Sequence, residues 1–254
     1  MGVPRSLSLT WVGHSTVLVE LDGVRLLTDP LLRTRVAHLR RVQSVDATAL
    51  GRIDAVLISH EHYDHLDVPS LRRLDPSVTV VAPRGAEPAL RRARREHVVI
   101  VDVGEEVEIG GVSVRATTAE HAGGGGLRKG EALGFAIRGS ASVYFAGDTD
   151  LFDGMADLGP FDLALVPVWG WGHSLGAGHL DPRRAATAVS LLRARVAVPI
   201  HWGTYYPLHS RRGDYLTEPP LEFRRWAAEV AADTRVEIVQ PGETLELPSG
   251  EPVR

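Results

Sequence analysis

Apolar positions along the chain fall mostly in short runs, separated by turn residues, and few have the spacing of a long helix. Runs with strand character are Ser8–Val12, Thr16–Leu21, Val24–Thr28, Ala55–Ser59, Thr79–Ala82, Val98–Val101 and Glu106–Ile109. They continue with Val112–Thr117, Gly134–Ile137, Ser142–Ala146, Leu163–Val166, Val196–Ile200, Val236–Val239 and Thr244–Leu247. Asp22-Gly23 and Gly110-Gly111 each join two runs and predict tight hairpins. Helical stretches are fewer: Pro69–Leu74 behind a capping Asp67, Glu87–Glu96, Pro182–Ala194 and Glu218–Ala232. Asp181-Pro182 supplies an N-cap followed by proline at the first helical position. No long linker, repeat or charge block divides the chain. The pattern predicts one mixed domain over residues 1–254 with two β-rich halves, and long loops near 117–133 and 168–181.

Composition narrows the function. The 254 residues carry a net charge of −4, which supplies no basic excess for neutralising phosphates, so no nucleic-acid partner is expected. There is no cysteine, which removes disulfides, thiolate nucleophiles and Cys-type metal sites. Any metal must be held by His and carboxylates. The N-terminal stretch has no uninterrupted apolar core of a signal peptide. The longest uncharged stretch, Leu163 to Leu180, contains Pro167, several glycines and two histidines, so no spanning helix is expected. A cytoplasmic location follows as the default expectation. Arg91, Arg92, Arg94 and Arg95 lie close together on a predicted helix and read as a solvated face.

Candidate chemistry is concentrated in Ser59-His60-Glu61-His62-Tyr63-Asp64-His65-Leu66-Asp67, directly after a buried strand pattern. His60 and His62 are two apart and project to one side of an extended backbone, while Asp64 and His65 follow in the turn. Imidazole with carboxylate suits zinc, manganese or iron. One loop cannot complete two coordination shells. His121, Asp148 and His201 each sit just beyond another apolar run, as His60 does, and are candidates for the remaining donors.

This arrangement of His-x-His-x-Asp-His, a separate His, Gly-Asp-Thr and a final His resembles the metallo-β-lactamase superfamily. The resemblance is closer to the branch of N-acylphosphatidylethanolamine-hydrolysing phospholipase D and the ascorbate-6-phosphate lactonases. It rests on Trp11-Val12-Gly13-His14-Ser15, Thr28-Asp29-Pro30, Phe145-Ala146-Gly147-Asp148-Thr149, His179-Leu180-Asp181-Pro182 and Ile200-His201-Trp202-Gly203-Thr204. Tyr215-Leu216-Thr217-Glu218-Pro219-Pro220 and Pro241-Gly242-Glu243-Thr244 add to the phospholipase side.

The implied fold is α/β (α+β), the αββα four-layer sandwich with metals at the common edge of its sheets. The resemblance implies that His60, His62 and His121 hold one divalent ion, that Asp64, His65 and His201 hold a second, and that Asp148 bridges them. Zinc is the expected metal and manganese the alternative. It implies hydrolysis by hydroxide generated on the metal pair, with Asp64 orienting the nucleophile and His179 contacting substrate. The expected substrate is a small or lipid-like phosphodiester, with peripheral membrane contact compatible. A lactone or ester of a sugar-phosphate type, or a non-catalytic metal-binding module, are the alternatives. His62 stands where flavodiiron proteins carry Glu, which argues against a redox role. Trp169, Trp171 and His173 are candidate pocket-lining residues, equally read as loop packing. His14 reads as a supporting or catalytic residue. Ala122 and Gly123 to Gly126 put no binding side chains after His121. Oligomeric state is not legible.

Overall fold

The structure, a computed structural model, describes residues 7–43, 47–121, 132–169, 177–208 and 213–247. The first half contains β1 (Leu7–Gly13), β2 (Thr16–Leu21), β3 (Val24–Thr28), β4 (Arg35–Val36), β5 (Leu39–Arg41), β6 (Ala55–Leu57), α1 (Val68–Leu71), β7 (Thr79–Pro83), α2 (Glu87–Arg92) and β8 (Val98–Val101). The second contains β9 (Glu106–Ile109), β10 (Val112–Thr118), β11 (Leu133–Arg138), β12 (Ser142–Phe145), α3 (Met155–Leu158), β13 (Phe161–Pro167), α4 (Pro182–Leu191), β14 (Ala194–Ile200), β15 (Tyr205–Pro207), α5 (Glu218–Val230), β16 (Arg235–Val236) and β17 (Thr244–Leu247).

These strands make two seven-stranded sheets, ordered β17-β1-β2-β3-β6-β7-β8 and β16-β14-β13-β12-β11-β10-β9. Each sheet runs antiparallel through its meander and then switches to parallel pairing, at β3–β6 in the first and β12–β13 in the second. The parallel strands β13 and β14 are buried nearly end to end, which is why Phe161–Pro167 and Ala194–Ile200 read as continuous apolar runs. β17 returns from the far end of the chain to pair with β1.

Leu9, Trp11, Val17 and Val19 of the first sheet share one buried cluster with Phe135, Ile137, Val143 and Phe145 of the second. The alternate positions Val12, Leu18, Leu27, Val56 and Val80 join Leu71 and Leu90 of the two short helices α1 and α2. α4 packs on β13 and β14, and α5 on α4. The expected layering, helix on sheet on sheet on helix, is therefore present.

The hairpin at Asp22-Gly23 has both residues in the left-handed region (φ 54° and 81°), as a two-residue primed turn requires. Asp67 accepts from the backbone N–H of Ser70, and Asp181 from that of Arg184, so both predicted caps are made. Several expectations need correction. Val236–Val239 is strand only at Arg235–Val236, and the first helix closes at Leu71. A three-stranded sheet, β15-β5-β4, was not predicted, because strands of two or three residues leave no periodic signal. Arg95 is not on a solvated face: it is buried, and its guanidinium donates to the carbonyls of Leu71 (2.9 Å) and Asp75. It thereby ties the chain after α2 to the turn that follows α1. No helix among the described residues is long and apolar enough to cross a membrane.

Candidate metal centre

The donors come together at one edge of both sheets. His60 follows β6, His121 follows β10, Asp148 follows β12 and His201 follows β14. Beyond His60 the chain turns tightly, with the N–H groups of His65 (2.9 Å) and Leu66 (2.8 Å) both on the carbonyl of His62. That turn sends His62 to one side and Asp64 with His65 to the other. Asp148 depends on its neighbour Gly147, which has φ +61°. A Cβ there would lie 2.7 Å from Ser59 Cβ and 2.9 Å from the Leu133 carbonyl, so only glycine lets the loop close on the ligand strand.

Two donor sets result. In the first, His60 Nε2 and His121 Nε2 lie 2.9 and 3.0 Å from His62 Nδ1. In the second, His65 Nε2 and His201 Nε2 lie 3.7 and 3.9 Å from Asp64 Oδ2. Asp148 Oδ2 lies 3.3 Å from His65 Nε2 and 3.4 Å from His201 Nε2, and Asp148 also clusters with His121 and His179.

The outer nitrogens fix which ring atom faces inward. His121 Nδ1 donates to the Gly178 carbonyl at 2.9 Å, and His201 Nδ1 to the Trp169 carbonyl at 2.6 Å. His65 Nδ1 donates to Asp29 Oδ2 at 2.7 Å. Ser59 Oγ gives its proton to the same Asp29 oxygen at 2.5 Å, so it accepts from His60 Nδ1 at 2.9 Å. A neutral imidazole that donates at Nδ1 presents a lone pair at Nε2. His60 and His121 each turn Nε2 toward His62, and His65 and His201 each turn Nε2 toward the carboxylates of Asp64 and Asp148. His65 Nε2 and Asp148 Oδ1 are buried and make no hydrogen bond. Inward-facing imidazole nitrogens and carboxylate oxygens in these clusters fit divalent transition metals.

Electrostatics separates the two sets. Burial lowers the pKa of His62 to about 4, with His121 and His65 adding to it, and burial likewise lowers those of His60 and His121. The first set is thus three neutral imidazoles. In the second, burial opposes charge on His65 and His201, but Asp148 and Asp64 outweigh it and raise both. The carboxyls of Asp64 and Asp148 are pulled down by the surrounding histidines, again against burial.

His14 is buried in the turn between β1 and β2 with φ 58°. Its Nε2 lies 3.1 Å from Asp64 Oδ2, and its ring centroid is 3.9 Å from that of His201. Its carbonyl accepts from the N–H of His201 at 3.0 Å, so it ties two candidate ligands together. His179 Nε2 is 3.8 Å from Asp148 Oδ2, with its side chain about a quarter exposed at the rim (27%). The Trp169 ring is buried and stacked on Tyr215, with ring centroids 5.3 Å apart. Trp171, His173 and the glycines 123–126 lie outside the described residues. Asp29 carried no role in the sequence reading. The available signal was its place directly after β3, near a strand end as Asp148 is near that of β12.

A family model described as a β-lactamase superfamily domain matches residues 24–202. A metal-dependent hydrolase of Methanopyrus kandleri is 31% identical over 94% of this chain and 100% of its own. N-acyl-phosphatidylethanolamine-hydrolyzing phospholipase D 1 of Caenorhabditis elegans is 30% identical over 94% of this chain and 76% of its own. A metallo hydrolase from Ignicoccus hospitalis has a similar structure, with TM-score 0.72 at 26% identity, covering 95% of this chain and 98% of that one. With a family model matching most of its length and relatives matching over nearly all of it, the chain belongs to the β-lactamase superfamily and is a metal-dependent hydrolase.

Proposed function

We propose that the protein uses two divalent ions, zinc in the first instance, to hydrolyse a phosphodiester, as a phospholipase D does. The observation that carries the two-ion reading is that Asp148 lies near His65 and His201 of one donor set and clusters with His121 of the other. His60, His62 and His121 would hold one ion, and Asp64, His65 and His201 the other. Bound there, the ions would lower the pKa of a water toward neutrality and offset negative charge developing on the substrate.

The chain's own groups do the rest. Asp64 is kept ionised by His65, His14 and His201 against its burial, and can accept a hydrogen bond from the attacking water. His179, at the solvent side of Asp148, can donate to a substrate oxygen. The preference for a phosphodiester over a lactone draws on the Caenorhabditis elegans relative, whose name specifies a lipid phosphodiester. A lipid-like substrate and peripheral contact with a membrane surface accord with that relative. The test is turnover by the zinc-loaded protein of bis-p-nitrophenyl phosphate beside a panel of lactones. Phosphodiester cleavage that disappears with chelator and returns with zinc is expected. Lactone cleavage alone would overturn the substrate assignment.

A further inference from the structure

The turn between β1 and β2 is joined to the loop that follows β14. His14 donates its N–H to Thr204 Oγ1 at 2.7 Å, and its carbonyl accepts from the N–H of His201 (3.0 Å) and from Trp11 Nε1 (2.9 Å). Gly13 keeps this junction tight: it has φ +124°, and a Cβ there would lie 2.7 Å from Thr204 Cγ2. The buried His14 ring is thereby held against the second donor set. Its centroid lies 3.9 Å from that of His201 and 5.2 Å from that of His65, and its Nε2 lies 3.1 Å from Asp64 Oδ2. The same oxygen lies 3.7 Å from His65 Nε2 and 3.9 Å from His201 Nε2. An ionised carboxylate only accepts, so Nε2 carries the proton and points it at Asp64. A ring nitrogen bearing that proton has no lone pair for a metal, which separates His14 from Asp64, His65 and His201, with which it clusters.

We propose that His14 is a positioning residue for the second ion: its Nε2–H holds the Asp64 carboxylate turned toward His65 and His201. The inference rests on the two-ion reading. The terminal torsion of an aspartate is broad, so a donor from outside the set decides how its oxygens face the histidines. Asp29 braces His65 of one set directly and His60 of the other through Ser59. His14 bears on members of the second set. Its loss should therefore separate the two ions, where the loss of Asp29 affects both.

The test is zinc titration of the metal-free protein against a chromophoric chelator, with His14→Asn and His14→Gln beside wild type. Asparagine tolerates the left-handed φ of 58°, but its amide is too short to reach Asp64, whereas a glutamine amide reaches to where Nε2 stands. His121→Ala, which cuts the first set, shows which binding step belongs to the second. Wild type should bind in two steps. His14→Asn should weaken the second-set step by roughly 10- to 100-fold and leave the other in place, and His14→Gln should recover most of the loss. A side chain that merely packs the turn predicts the reverse order, because glutamine fits that backbone less well than asparagine. Both steps weakened alike in His14→Asn overturn the proposal. A second-set step lost in both variants also overturns it and makes His14 a ligand. A single step in wild type overturns the two-ion reading and this inference with it. Two steps in wild type, neither of them sensitive to His14→Asn, overturn this inference alone.

Discussion

Asp29 Oδ2 accepts a hydrogen bond from His65 Nδ1 at 2.7 Å, and both side chains are wholly buried. The same oxygen accepts from Ser59 Oγ, which in turn receives His60 Nδ1, while Asp29 Oδ1 accepts from the Ser59 N–H at 2.7 Å. One carboxylate thus fixes the ring orientation of one histidine in each donor set. Asp29→Asn replaces one acceptor oxygen by a donor, so these bonds cannot all be kept. Metal affinity should fall by roughly 10- to 100-fold with the fold retained, as is typical when a ligand's supporting partner is lost. Competition against a chromophoric chelator measures it, and unchanged affinity would show that the Asp29 bonds do not tune the ligands.

Asp148 lies near His65 and His201 of one set and clusters with His121 of the other. Asp148→Asn keeps the shape and removes the negative charge that offsets repulsion between two dications. This variant should hold at most one ion tightly and lose at least about a hundredfold in hydrolysis. Elemental analysis after dialysis, beside initial rates, checks both numbers. Two tightly bound ions with a near wild-type rate would show that another group bridges the pair.

His179 sits beside Asp148 without a place in either set of three. His179→Ala should lower turnover strongly and leave metal content near wild type. If metal is lost instead, His179 is a ligand and the role of His201 needs revision.

Acid should destabilise the metal-free protein through its neutral histidines. Burial lowers the pKa of His14 to about 3 and that of His62 to about 4. A histidine depressed in the fold contributes stability above its unfolded pKa near 6.5, and that contribution is lost as pH falls toward the folded value. His65 and His201 are raised, so their contribution is complete below 6.5 and is lost as pH rises through their folded values. The metal-free Tm should therefore peak near pH 6.5 and fall on both sides. His14→Gln removes one titrating group and should flatten the acid limb. An acid limb of unchanged slope in that variant would contradict the assignment of His14 as a buried neutral donor to Asp64.

How much of this was legible in the sequence depends on the range of each interaction. His60, His62, Asp64 and His65 are contiguous, and their strand is a plain apolar run, so the centre was visible in nine residues. His121, Asp148 and His201 were found because each follows its own strand, a local relation that the topology turns into proximity. Asp29 and Ser59 act through bonds to rings set by chain turns, and no spacing rule encodes that. Arg95 reads as solvated for a related reason: it finds its carbonyl partners in another segment of the chain. β4, β5 and β15 are too short for any period to register.

The central claim is a pair of metal ions held by seven side chains. The most direct measurement is elemental analysis of the folded, metal-replete protein after removal of loosely bound metal. The account predicts close to two transition-metal ions per chain. A folded protein that retains one ion or none would contradict it.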